Sequence, residues 1–219
     1  MDIKTSFIKV SKTARYSTFG ELSQHTKFFW FVLHGSNMTC EQMLFKFSEF
    51  DPRTHLIIAP EGLNRTYLEG FGGDAVASWM TKRDRLSEIE DFSVYLSTLY
   101  KDYSSRLPTK TIKIVLGFSQ GGTTAYRWLH DKQEKVDCLI AYSCWIPEDI
   151  NLTESQTDLA SINKVYTYGT EDQFLTPKRI EALEQVIKDN KLAIQVEPYK
   201  GLHRIEKSQL AAIFKKYIN

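Results

Sequence analysis

Six consecutive residues, Gly117-Phe118-Ser119-Gln120-Gly121-Gly122, constrain this chain more than any other segment. They directly follow the apolar run Ile112-Lys113-Ile114-Val115-Leu116 and directly precede a helical pattern starting near Thr123. A strand that turns into a helix this sharply forces the residue at its apex into a strained backbone. Side chains two residues before and after would collide there. Gly117 and Gly121 have none. Such a turn holds the Ser119 hydroxyl proud of a sheet, at a helix start whose dipole favours negative charge. The Gln120 amide would point at an oxyanion developing beside that hydroxyl.

The remaining pattern supplies the sheet that this turn requires. Residues 3–10 and 13–19, rich in Ile, Phe, Val, Tyr and Thr, predict two short strands in an N-terminal antiparallel hairpin. Phe28-Phe29-Trp30-Phe31-Val32-Leu33 is apolar throughout, as in a strand buried on both faces of a parallel sheet. Cys40, Met43, Leu44, Phe47 and Phe50 form one helical stripe, stopped by Asp51-Pro52. His55 to Ala59 is the next strand, closed by Pro60. Residues 61–82, punctuated by Gly62, Gly70, Gly72 and Gly73, read as a long irregular loop, and loops of that length in compact domains are usually functional.

A helix with Ile89, Phe92, Leu96, Leu99 and Tyr103 on one face follows. Then come strand 111–117, helix 121–131, strands 136–143 and 164–168, helix 177–189, strand 192–198 and a last helix near 205–218. Parallel strands need crossover helices, so this alternation predicts an α/β fold: a mostly parallel central sheet with helices on both faces. No repeat or linker divides the chain, and 219 residues suit a single domain, 1–219.

Lys plus Arg is 28 against 27 for Asp plus Glu, a formal charge of +1. No one-signed field is available to draw in nucleic acid or an anionic membrane. The longest apolar run is far short of a bilayer span, which predicts no integral membrane association. Cys40, Cys138 and Cys144 form no C-x-x-C pair and have no histidine at ligand spacing, so reduced, buried thiols are expected. The start, Met1-Asp2-Ile3-Lys4, has no basic segment leading into an apolar core, so the expected compartment is the cytoplasm.

A serine nucleophile needs a base and an acid to orient it, and on this fold they follow in the order Ser, Asp or Glu, His. Only His130 and His203 lie beyond Ser119. His130 falls late in the helix after the turn and is carried away from it, as a surface histidine. His203, in Tyr199-Lys200-Gly201-Leu202-His203, leaves a strand at its carboxyl end, where open α/β sheets place their ligands. The acid should leave the preceding strand, where Glu171 and Asp172 compete. Asp172 is the choice and Glu171 a solvated neighbour. A second oxyanion donor should come from the turn after another central strand, which assigns the Ser36 amide in Leu33-His34-Gly35-Ser36. His34 is read as shaping that loop through local hydrogen bonds.

These pieces together resemble the phospholipase/carboxylesterase family of small α/β-hydrolases. The resemblance runs over about residues 28 to 218. It is carried by Leu33-His34-Gly35, Ala59-Pro60-Glu61-Gly62, Ser78-Trp79, Gly117-Phe118-Ser119-Gln120-Gly121-Gly122, Tyr168-Gly169-Thr170-Glu171-Asp172 and Gly201-Leu202-His203. It implies the α/β-hydrolase fold and a serine hydrolase acting on esters or thioesters, with Ser119, Asp172 and His203 catalytic and the oxyanion amides at Ser36 and Gln120. No metal or organic cofactor is expected, and the partner is a small-molecule ester or acyl substrate. The chain departs from the family pattern after His34-Gly35 and at Tyr168, positions that line the site. Tyr67 and Trp79 in the 61–82 stretch, and Trp145 in Cys144-Trp145-Ile146-Pro147, are the candidate substrate-binding residues. The alternatives are an acyltransferase or peptidase using the same three residues, and a catalytically silent binding protein on this fold.

Overall fold

The computed structural model describes residues 1–151, 159 and 162–219. Seven strands form the main sheet: β1 (Tyr16–Phe19), β2 (Phe28–Leu33), β3 (His55–Pro60), β6 (Ile112–Phe118), β7 (Cys138–Tyr142), β8 (Asn163–Gly169) and β9 (Gln195–Tyr199), in the order β1-β3-β2-β6-β7-β8-β9. Every pair is parallel except β1–β3. Two strands, β4 (Asn64–Glu69) and β5 (Gly72–Ser78), form a separate antiparallel ribbon.

β2 shows why the sheet needs helices on both sides. Successive side chains on a strand point to opposite faces. Phe29, Phe31 and Leu33 enter one core with α2 (Arg85–Ser104), α3 (Gln120–Lys132) and α4 (Pro177–Asp189), through residues such as Phe92, Trp128 and Leu183. Phe28, Trp30 and Val32 enter the other with α1 (Cys40–Leu44) and α5 (Lys207–Tyr217), through Met43, Leu210 and Ile213. Each large apolar side chain buried this way contributes roughly 1.5–3 kcal/mol. The mostly parallel α/β sheet follows the alternation in the sequence.

Three expectations are corrected. The N-terminal hairpin does not form: residues 1–15 contain no strand, and β1 pairs instead with β3, Tyr16 opposite Pro60. β-propensity is realised only against a partner edge, and the polar groups of this segment find partners elsewhere. Lys9 Nζ reaches Glu90 at 2.5 Å, and the Arg15 carbonyl accepts from the Glu61 amide (2.9 Å) and the Tyr95 hydroxyl (2.8 Å). Within 61–82 the ribbon replaces most of the irregular loop. Gly70 and Gly73, at φ of 66° and 78°, make its turn and bulge, so these glycines are hairpin chemistry. The stripe at 40–50 is a five-residue helix, α1, followed by a 3-10 turn at Phe45–Phe47.

Candidate active site

Ser119 stands at the apex between β6 and α3 with φ 52° and ψ −123°. Backbone hydrogen bonds hold it there: its amide donates to the Tyr142 carbonyl and its carbonyl accepts from the Gly122 amide, each at 2.9 Å. A Cβ at Gly117 would come within 2.4 Å of the Gly121 carbonyl oxygen, and one at Gly121 within 2.3 Å of the Leu33 oxygen. The glycines are required because the turn packs backbone against backbone.

The segments leaving β8 and β9 are laced together. The Thr170 amide donates to the Tyr199 carbonyl at 2.8 Å and the Glu171 amide to the Gly201 carbonyl at 2.9 Å. This brings Asp172 and His203 side by side, 31 positions apart in sequence. His203 Nδ1 lies 2.6 Å from Asp172 Oδ2, and His203 Nε2 lies 3.0 Å from Ser119 Oγ. The other oxygen of Asp172 accepts from the Phe174 and Leu175 amides at 2.8 and 3.2 Å, which fixes the carboxylate in a fully buried position. Nδ1 therefore carries the proton toward Asp172, and Nε2 accepts from the serine hydroxyl. Phe118 and Phe174 flank the imidazole, their ring centres 5.0 and 4.8 Å away. Glu171 is exposed and faces Lys200 at 4.0 Å, as a solvated neighbour would.

Ser36 follows β2 in an exposed turn, and the Gln120 amide opens α3. Between these two segments sits Trp79, only 1% exposed. Its indole Nε1 donates to the His34 carbonyl at 2.8 Å, and its backbone amide donates to Gln120 Oε1 at 2.8 Å. Gln120 Nε2 in turn donates to the Met80 carbonyl at 2.7 Å. Trp79 is thus part of the framework and does not line the cleft, which corrects the expectation of a substrate contact. His34 is fully buried against it. Nδ1 bonds the Gly35 carbonyl at 2.7 Å and Nε2 accepts from the Gly62 amide at 2.9 Å. Burial holds its pKa below the ordinary imidazole value, so it stays neutral and shapes the loop.

A cleft of about 430 Å³ opens beside Ser119 and His203. Trp145 lines it, together with Gln120, Cys144 and Leu175. Tyr67 lies on β4 of the exposed ribbon, outside the lining, which corrects that expectation too. Sequence reasoning missed Thr123, Ser143, Phe174 and Arg179, which also line the cleft. Ser143 had a usable signal, since it is the first residue beyond the carboxyl end of β7. His130 is half-buried, not a surface residue, and sits in the last turn of α3.

Among the described residues, one group has metal-ligand types close together: Cys40, Glu41 and Glu61, with ligand atoms within 4.8 Å of one another. Its charges are already met. Arg15 pairs with Glu41, Arg65 Nε with Glu61 at 2.8 Å, and burial pushes the Cys40 thiol up to about 11. A neutral thiol among paired carboxylates is a poor cation site. No helix of the described residues is long and apolar enough to cross a membrane.

The phospholipase/carboxylesterase family model matches residues 32–219. No curated protein sequence matches the chain significantly. Among solved structures, Zea mays acyl-protein thioesterase 2 is similar at 17% identity and a TM-score of 0.69, over 93% of this chain and 97% of that one. A phospholipase/carboxylesterase from Dyadobacter fermentans is similar at 16% identity and a TM-score of 0.65, over 96% of this chain and 99% of that one. The Bacillus cereus carboxylesterase is similar at 12% identity and a TM-score of 0.66, over 93% of each chain. At such identities the likeness is one of fold, and the family match covers most of the sequence. The chain therefore belongs to the phospholipase/carboxylesterase family of serine hydrolases on the α/β-hydrolase fold.

Proposed function

We propose that the chain hydrolyses carboxylic esters, thioesters included, through an acyl-enzyme on Ser119. The observation that carries this reading is the continuous hydrogen-bonded row from Ser119 Oγ through His203 to Asp172 at 3.0 and 2.6 Å. His203 Nε2 takes the hydroxyl proton as Oγ attacks the carbonyl carbon, and then delivers it to the departing alkoxide or thiolate. Asp172 holds the imidazole in the productive tautomer and stabilises the imidazolium. The amides of Gln120 and Ser36 receive the oxyanion, each worth roughly 2.7–4 kcal/mol of transition-state stabilisation. Water then attacks the acyl-enzyme, with His203 again as base, and frees the acid. No metal or organic cofactor enters any step. Free, buried Cys40, Cys138 and Cys144 support a reducing, cytoplasmic setting.

The test is Ser119→Ala with p-nitrophenyl acetate and a fluorophosphonate probe. Turnover and labelling are both expected to vanish. A variant that labels and turns over like the wild type overturns the reading.

A further inference from the structure

We propose that the cleft beside Ser119 selects acyl groups ending in a carboxylate, held by the Arg179 guanidinium and the Ser143 hydroxyl. This rests on the hydrolase reading above and assigns the acyl end of the same reaction.

Two observations point the same way. Ser143 lines the cleft, is buried, and its Oγ has no hydrogen-bond partner among the described residues. Its backbone is held in a left-handed conformation, φ 46°, by a 2.8 Å bond from its amide to the Thr167 carbonyl. A buried hydroxyl with a proton to give and nothing to receive it is unusual in a folded core, and strained residues gather at ligand sites. Thr123, its polar neighbour in the lining, already spends its proton on the Trp145 carbonyl at 2.8 Å. Ser143 is left as the donor.

Arg179 supplies the charge. It reaches the cleft from the first turn of α4 and spends Nη1 on the Phe174 carbonyl at 2.8 Å. Among the described residues, no ion pair includes it and no carboxylate lines the cleft. Its remaining donors suit two carboxylate oxygens at once. Trp145, Phe174 and Leu175 give an intervening methylene run an apolar wall. A plain alkyl chain in the same place would strip water from Arg179, return no hydrogen bond and leave the Ser143 hydroxyl unpaired. A terminal carboxylate satisfies both.

The experiment compares kcat/KM for the p-nitrophenyl monoester of glutaric acid with that for p-nitrophenyl pentanoate, matched in carbon count and differing at the far end. The wild type is expected to favour the charged ester by about tenfold or more, the scale of one charge-assisted hydrogen bond. Arg179→Gln should bring the ratio to about one, and Arg179→Glu should invert it by charge repulsion. Ser143→Ala should lower the ratio with Arg179 in place. Equal or better use of pentanoate by the wild type overturns the proposal, as does a ratio indifferent to Arg179. In either case, turnover of p-nitrophenyl acetate shows that the hydrolase reading survives. A wild type inert toward all three esters removes both.

Discussion

Trp79 and Gln120 are bound backbone to side chain, the Trp79 amide donating to Gln120 Oε1 at 2.8 Å, 41 positions away in sequence. The indole of the same tryptophan donates to the His34 carbonyl, two residues before Ser36. One residue thus spans both segments that carry the proposed oxyanion amides. Electrostatic stabilisation of this kind depends on donors fixed before the charge appears.

Trp79→Phe keeps the ring and deletes the bond to His34. We expect kcat to fall about tenfold, part of what losing one oxyanion donor costs, with KM little changed. Affinity for a boronic acid transition-state analogue should fall by a similar factor. A purely structural tryptophan would instead lower thermal stability and leave the kcat of the folded fraction intact.

Asp172→Asn places an amide where the carboxylate stood. The Phe174 and Leu175 amides still need an acceptor, so they hold the carbonyl oxygen and turn the NH2 group toward His203 Nδ1. The imidazole must then accept at Nδ1 and carry its proton on Nε2, the wrong tautomer for a base. A loss of about 10⁴ in kcat follows by analogy with the same change in serine proteases. Steady-state rates on p-nitrophenyl acetate, with circular dichroism as a check on folding, decide it.

Gly121→Ala would drive a Cβ to 2.3 Å from the Leu33 oxygen and 2.4 Å from the His34 oxygen, both backbone atoms with nowhere to retreat. A destabilisation of about 3 kcal/mol or more is expected, at the upper end of overpacking costs. Gly70→Ala, on the ribbon turn where a Cβ meets nothing within 4 Å, should cost about 1 kcal/mol from its positive φ alone. Denaturant midpoints for the two variants should separate clearly.

His55 accepts from the Trp30 indole at 3.0 Å, and burial depresses its pKa to about 4. In the unfolded chain an imidazole titrates near ~6.5. As pH falls, the unfolded state therefore binds this proton first. The stabilisation is complete above about pH 6.5, declines from there to about pH 4, and does not change further below. The loss is on the order of 3 kcal/mol. His34, also depressed by burial, adds to the slope in the same direction. His55→Asn retains an acceptor for Trp30 without the titration. It should flatten part of the dependence of unfolding free energy on pH between about 4 and 6.5. An unchanged slope would contradict this account.

The sheet was legible because its evidence is local. Phe28 to Leu33 is apolar at every position, and the glycines around Ser119 sit on a strand–turn–helix pattern. Asp172 and His203 were reachable through one topological rule, that such side chains leave strands at their carboxyl ends. Trp79 and Tyr67 were not legible, because an aromatic in a glycine-rich stretch looks the same whether it faces a ligand, a core or water. The indole partner of Trp79 is 45 positions away, and no periodicity records it. Residues 3–10 carry strand-like composition yet pair with no strand, although β1 lies at the edge of the sheet. Arg179 is one of many arginines until the fold sets it at the cleft.

The β4–β5 ribbon meets the rest of the molecule at its base, where Met38 and Ala77 exchange backbone hydrogen bonds at 3.2 and 2.9 Å and the Asn37 amide donates to Ser78 Oγ at 3.1 Å. Its tip carries Gly70, where a Cβ would meet nothing within 4 Å among the described residues, and a fully solvent-exposed Phe71. Gly70–Phe71 is therefore a grafting port. Foreign peptides spliced there would leave the rigid stem undisturbed, whereas length changes at residues 77–79 would jam the machinery beside it.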